Sequence, residues 1–378
     1  MKKFLIIGGE CISLMKFRGE LLKSIMINKY EVYACAGGNY DPIKNWFKEE
    51  GINFIPLQLN RTGINPISDL NYIFQLVKII REVNPDIILA YTVKPVVYGL
   101  IASKICNIKN CYALITGLGY AFIPSFSFKK KIIKIIIFLL YKFSLKKAKS
   151  IFFQNQDDLK LFKDEKIISN FENSVIVNGS GVNLDYYKFK PLSAKIKKIN
   201  FLLIARLLKD KGIYEYVEAA KIIKKSYPEK ELSFSLLGSF DTNPSAITYN
   251  EIKKWTNKGI INYLGETNDV RPFIEQCSVY VLPSYREGMP RSVLEAMSIG
   301  RPIITTNVPG CKETVVHGKN GYIVKMKSSN ELVKAMSKMI NNVNQLQKMG
   351  SYSRKLVAER FNVYNVNAII LKEIGIIK

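Results

Sequence analysis

Strand-like and helix-like stretches alternate along the chain in two successive rounds, which predicts an α/β protein of two Rossmann-like α/β/α domains. Three observations carry this reading. Short β-branched apolar runs stop at glycine or proline at positions 8–9, 37–38, 238, 265 and 283. Longer stretches between them place apolar residues at helical spacing. At 378 residues the chain is long for one core and typical of two. The polar, irregular stretch 191–198 (PLSAKIKK) separates the rounds, giving expected domains 1–190 and 199–361 and a closing helix over 362–378. Strands joined by helices imply parallel sheets covered on both faces, with binding residues just past the strands' carboxyl ends.

The first round opens with an apolar strand ending at Gly8-Gly9. The full G-x-G-x-x-G is missing, so a tight turn and a close backbone approach to a ligand phosphate both remain open. Strands follow at 31–36, 53–57, 86–91 and 111–115. The stretch 67–83 reads as a helix with Leu70, Ile73, Phe74, Val77 and Ile80 as its apolar face. Binding candidates after these strands are Thr92 to Pro95, including Lys94, and Thr116-Gly117-Leu118-Gly119-Tyr120.

Residues 126–149 stand apart, with eight lysines and no acid: Lys129, Lys130, Lys131, Lys134, Lys142, Lys146, Lys147 and Lys149. The apolar centre, 135–141, is far shorter than the ~20 residues needed to span a bilayer. A helix lying on an anionic membrane surface fits this composition, as does a packing helix with a solvated lysine face.

The second round starts with a strand at 199–204, followed by Arg206 and Lys211, and then a helix through 225. Strands at 234–237 and 261–264 run into Gly238 and into Gly265-Glu266, and 269–275 heads another helix. The strand 279–282 stops at Pro283-Ser284. Pro290 suits the first position of the next helix, Gly300 its end, and 302–305 the strand after it. Glu287 then lies past a strand end and Glu295 more than one turn into a helix. The helix N-terminus between them offers amides to an anion. An acid near a reacting centre, amides for phosphate and a second acid for ribose hydroxyls would suit a nucleotide sugar.

Glu287-Gly288-Met289-Pro290-Arg291-Ser292-Val293-Leu294-Glu295 resembles the E-G-x-P-x-x-x-x-E signature of the retaining glycosyltransferases of family four. Gly310, Glu313 and His317-Gly318-Lys319-Asn320-Gly321 are similar to that family as well. The resemblance implies the GT-B fold: two Rossmann-like domains facing across a cleft, with the last helix crossing back to the first. It implies Glu287, Arg206 and Lys211 as the catalytic set, the two cations forming a diphosphate clamp. Gly8, Gly9, Gly238, Gly265, Glu266 and 288–293 with Glu295 would bind the donor. Lys94, Thr116, Gly117, Gly119 and Tyr120 would meet the acceptor. The Gly-Leu-Gly loop resembles bacterial transferases building O-antigen, capsule or lipid-linked oligosaccharides. This leans toward a UDP-linked galactose or N-acetylgalactosamine donor and an undecaprenyl-diphosphate-linked acceptor. Where many relatives place a first-domain histidine this chain carries Thr116, and its only histidine is His317.

No D-x-D triplet is present, so no metal is expected and the cations would do its electrostatic work. The six cysteines form no C-x-x-C pair and read as reduced thiols of a cytosolic protein. With 48% hydrophobic and 23% charged residues the chain is globular, and its net charge of +25 favours an anionic partner. Two other classes compete. A nucleotide-sugar 2-epimerase would share the architecture, but one histidine in a turn argues against it. A nucleic-acid binder would use the charge, but the basic residues lack interleaved aromatics and crowd an aliphatic segment, so no specific nucleic acid is expected. The expected location is cytoplasmic, peripheral on the inner face of the membrane.

Overall fold

The computed structural model describes residues 1–59, 65–118, 128–168, 172–193, 195–243 and 245–378. It divides into two compact units, Met1–Ser180 with Val363–Lys378, and Gly181–Asn362.

The first unit contains seven strands: β1 Lys2–Ile7, β2 Tyr30–Ala36, β3 Asn53–Pro56, β4 Ile87–Tyr91, β5 Asn110–Ile115, β6 Ser150–Phe153 and β7 Ser174–Ile176. They form one sheet in the order β3-β2-β1-β4-β5-β6-β7, every pair parallel. One face is covered by α3 (Pro66–Val83), α4 (Val93–Ile105), α5 (Phe128–Ser144) and α6 (Gln156–Asp164). On the other lie α1 (Cys11–Ile27), α2 (Lys44–Glu49) and the closing helix, numbered α13 below (Val363–Glu373). β4 is buried along its whole length, as a central parallel strand with both faces covered must be.

The second unit pairs β8 Lys198–Ile204, β9 Glu231–Leu237, β10 Asn262–Tyr263, β11 Val279–Leu282, β12 Ile303–Thr306 and β13 Gly321–Val324. Their order is β10-β9-β8-β11-β12-β13, again parallel throughout. Helices α7 (Ile213–Ser226), α8 (Tyr249–Asn257) and α11 (Ser329–Asn341) cover one face. The other is covered by α10 (Arg291–Ile299) and α12 (Leu346–Arg360), with α9 (Arg271–Gln276) beside them.

Several sequence expectations shift. The first unit ends at Ser180, before 190, because 181–190 pack with the second: Val182 bridges Asn362 and Tyr187 bonds Glu295. Helix α3 begins where Asn65 caps the amides of Ile67 and Ser68, with Pro66 in its first turn. Its buried face is Tyr72, Leu76, Ile79, Ile80 and Val83, whereas Leu70 and Phe74 are 55% and 70% exposed. The expected apolar face was thus rotated: both sides of this helix carry apolar residues, and periodicity alone cannot say which meets the sheet. Pro290 is the N-cap of α10, not its first residue. All six cysteines are free thiols.

Candidate functional site

In the second sheet the strand order reverses between β8 and β11. Loops leaving two such strands diverge to opposite faces and open a crevice at the carboxyl edge, where open α/β sheets bind ligands. Arg206 and Lys211 leave β8 at this point and Glu287 leaves β11. Lys211 Nζ donates to Glu287 Oε1 at 2.6 Å, with side chains only 16% and 17% exposed. Ser284 Oγ donates to the same oxygen at 2.8 Å. Burial pulls the Lys211 pKa down, but the charge and hydrogen bond of Glu287 outweigh it and hold the ammonium above its ordinary value. The site therefore keeps a fixed cation at neutral pH.

The Glu287 loop is clamped by its neighbours. The Tyr285 N–H donates to Asp210 O at 2.8 Å, tying it to the turn that carries Lys211, and Thr306 Oγ1 donates to Ser284 O. The Glu287 N–H donates to Pro309 O at 3.2 Å. Gly310 lies against this loop at φ +81°, where a Cβ would sit 2.5 Å from Gly288 O and 2.6 Å from Glu287 O. Only glycine satisfies both conditions.

Around this pair stand the other expected residues. Arg206 Nη1 donates to Asp241 Oδ2 at 2.7 Å, a partner not foreseen from sequence. The Gly238 N–H donates to Gly265 O at 2.8 Å, joining the loops after β9 and β10, and Glu266 is exposed beside them. Gly288 and Pro290 are buried, while Met289, Arg291 and Ser292 are half-buried at the start of α10. Val293 departs from expectation. Its side chain is fully buried and its N–H donates to Pro290 O at 3.1 Å, so it belongs to the core.

Glu295 is 9% exposed and accepts from Tyr187 Oη at 2.8 Å and from Arg291 Nε at 3.1 Å. Burial, then the Glu295 charge, push the Tyr187 phenol well above its ordinary pKa. No local pattern points to Tyr187, which lies 108 positions from its partner. His317 serves its own turn, its Nδ1 accepting from the Ile323 N–H at 3.1 Å. Among the described residues no three His, Cys, Asp or Glu side chains gather as a metal-ligand set.

The first sheet has its own reversal, between β1 and β4. Gly8 and Gly9 pass so close to β4 that a Cβ would lie 2.6 Å from Tyr91 Oη and 2.9 Å from Thr92 Oγ1. Thr92 heads α4 at φ +70° and ψ 164°, a conformation costing a β-branched residue about 1–3 kcal/mol. Lys94 Nζ donates to Asp69 Oδ1 at 2.7 Å, and Tyr98 Oη to Asp69 Oδ2 at 2.8 Å. Burial, then Asp69, raise the Tyr98 phenol. Thr116 and Gly117 follow β5, both half-buried; Gly119 and Tyr120 lie outside the described residues.

Helix α5 differs from a simple lysine-faced helix. Lys131, Lys142 and Lys146 are exposed and Lys147 is half-buried. Lys134 pairs with Glu165 at 2.9 Å. Positions 126 and 127 and the side chains of Lys129 and Lys130 lie outside the described residues. Tyr141 and Leu145 anchor the inner side, yet Ile132, Ile135, Leu139 and Phe143 are exposed on the outer side. No helix among the described residues is long and apolar enough to cross a membrane.

Known proteins share both the fold and the sequence pattern. The chain is 28% identical to the N,N'-diacetylbacillosaminyl-diphospho-undecaprenol alpha-1,3-N-acetylgalactosaminyltransferase of Campylobacter jejuni, covering 92% of this chain and 94% of that one. It is 24% identical to the UDP-Gal:alpha-D-GlcNAc-diphosphoundecaprenol alpha-1,3-galactosyltransferase of Escherichia coli, covering 95% and 91%. The crystal structure of Anabaena HepE in complex with UDP superposes with a TM-score of 0.75 at 18% identity, over 100% of both chains, which shows the GT-B fold. Residues 31–155 match the family model described as glycosyl transferase 4-like. Residues 187–356 match the one described as glycosyl transferases group 1, and with both units so matched the chain belongs to the glycosyltransferases.

Proposed function

We propose that this glycosyltransferase moves a hexose or N-acetylhexosamine, with retention, from a UDP-sugar to an undecaprenyl-diphosphate-linked saccharide in surface-glycan synthesis. UDP-galactose or UDP-N-acetylgalactosamine is the donor favoured by the names of its relatives. The observation that carries the reading is the Lys211–Glu287 pair at the reversal of the second sheet, a fixed cation beside an oriented carboxylate.

Arg206 and Lys211, with amides at the start of α10, would neutralise the diphosphate as it departs. They supply the charge that a bound divalent ion would otherwise provide, so the reaction needs no metal. The bond from the anomeric carbon to the β-phosphate oxygen breaks as the bond to the acceptor oxygen forms on the same face. The departing phosphate oxygen takes the acceptor's proton. Glu287 then acts by orienting sugar hydroxyls rather than as a nucleophile. Both its described contacts fall on Oε1, so Oε2 would accept from a sugar hydroxyl. Glu295 binds ribose, and Lys94 with Thr116 to Tyr120 meets the acceptor. Helix α5, with Lys131, Lys142 and Lys146 exposed, seats the protein on the anionic inner face of the membrane.

The test is UDP release over paired donors and lipid-linked acceptors, with the product's anomeric configuration read by NMR. Release should require both substrates and give the donor's own configuration. An inverted product would overturn the mechanism, and epimer formed from UDP-N-acetylglucosamine alone would overturn the reaction class.

A further inference from the structure

We propose that the outer face of α3 is a second membrane-docking element, seated together with α5 on an anionic lipid bilayer. This rests on the membrane reading of α5 and extends it to residues with no assigned role. On α3 the exposed positions 67, 70, 74, 78 and 81 follow one stripe at helical spacing. Its first half is apolar, with Ile67, Leu70 and Phe74 at 81%, 55% and 70% exposure. Its second half carries Lys78, which pairs with the exposed Glu82 at 3.8 Å, and Arg81, leaving a net positive charge. On α5, Ile132, Ile135, Leu139 and Phe143 repeat the pattern with Lys131, Lys142 and Lys146 at their flanks.

Helix α4 packs against both α3 and α5 on the same face of the first sheet, so the two stripes belong to one rigid layer. Apolar stripes bordered by cations match the boundary of an anionic bilayer, where acyl chains take the side chains and headgroup phosphates take the lysines. A protein partner would supply acids against these cations but has no need of two separate helices flanked this way. Two rigidly linked patches also bind far more tightly than either alone.

The placement ties docking to the acceptor. In a parallel βαβ unit a helix starts at the carboxyl edge of its sheet, so Ile67 and Leu70 lie at the edge that holds Gly8, Gly9 and Thr92. On the opposite side of that first turn, Asp69 holds Lys94, the candidate acceptor residue. Seating α3 on lipid would bring Lys94 to the depth at which a lipid diphosphate emerges.

The experiment uses the full chain and sedimentation with vesicles of phosphatidylglycerol and phosphatidylethanolamine, against phosphatidylcholine alone. Ile67→Ser/Leu70→Ser/Phe74→Ser is compared with Lys131→Gln/Lys142→Gln/Lys146→Gln, and solution mass is measured without lipid. The expected result is about tenfold weaker partitioning of the α3 variant into anionic vesicles, with unchanged mass and unchanged UDP affinity. Wild-type partitioning of the α3 variant beside loss in the α5 variant would refute the α3 proposal and leave the α5 reading standing. No anionic-vesicle binding by the wild type would refute both. A drop in solution mass for the α3 variant would assign the face to a second copy of the chain and refute docking.

Discussion

Replacing Glu287 by Gln keeps size and hydrogen bonding while removing one charge. Lys211 then remains about five-sixths covered without its counter-ion. Breaking a fully buried pair this way costs about 3–5 kcal/mol; with the residual exposure and a surviving amide oxygen we expect roughly 1–3 kcal/mol here. The pH dependence should change sign. In the wild type the pair raises the Lys211 pKa above 10.5, so its stabilisation is fully present below that pH and is lost as pH rises through the raised value. In the variant, burial and the Arg206 charge, both lowering, are opposed only by Asp210, so the folded pKa shifts downward from its wild-type position. The penalty is then present at neutral pH and relieved as pH climbs toward the unfolded value. Turnover should fall about 10²–10³-fold, the loss typical of one removed charge-stabilising contact. Urea titrations across the alkaline range, with UDP release at saturating donor and acceptor, measure both. Full turnover in Glu287→Gln, or an alkaline slope equal to that of the wild type, would refute the assignment.

Gly310→Ala should lose about 1–3 kcal/mol and much of kcat, because its Cβ would displace the carbonyls of Glu287 and Gly288; chemical denaturation and kcat at saturating substrates separate the two effects. Glu295→Gln should raise donor KM with little change in kcat, the signature of uniform binding lost; an equal loss in kcat would contradict a ribose role. Arg206→Ala should leave stability within about 0.5 kcal/mol, since its ion pair with Asp241 is half in solvent, yet weaken turnover; melting and UDP release check it. Exhaustive chelation should leave turnover intact, and restoration by added divalent ion after a loss would show that Arg206 and Lys211 do not suffice.

Local order was legible in the residues themselves. The strand 279–282, the stop at Gly300 and the position of Glu287 past a strand end follow from chemistry within a few residues of chain. Partnership was not. Tyr187 reaches Glu295, Asp241 reaches Arg206 and Asp69 reaches Lys94 across 108, 35 and 25 positions, and no periodicity links residues so far apart. Nor could the pattern decide which side of α3 meets the sheet, because Phe74 and Tyr72 are both apolar enough for a core. Only packing chose Tyr72 and left Phe74 in the open.

The amino-acid sequence by itself determined two rounds of strand and helix and the placement of Arg206, Lys211 and Glu287 just past strand ends, because backbone preference is a property of short segments. The tertiary structure decided where each sheet reverses, which side chain completes each ion pair and which apolar faces stay uncovered. Those depend on distances between remote segments, and such distances exist only once the chain has closed on itself.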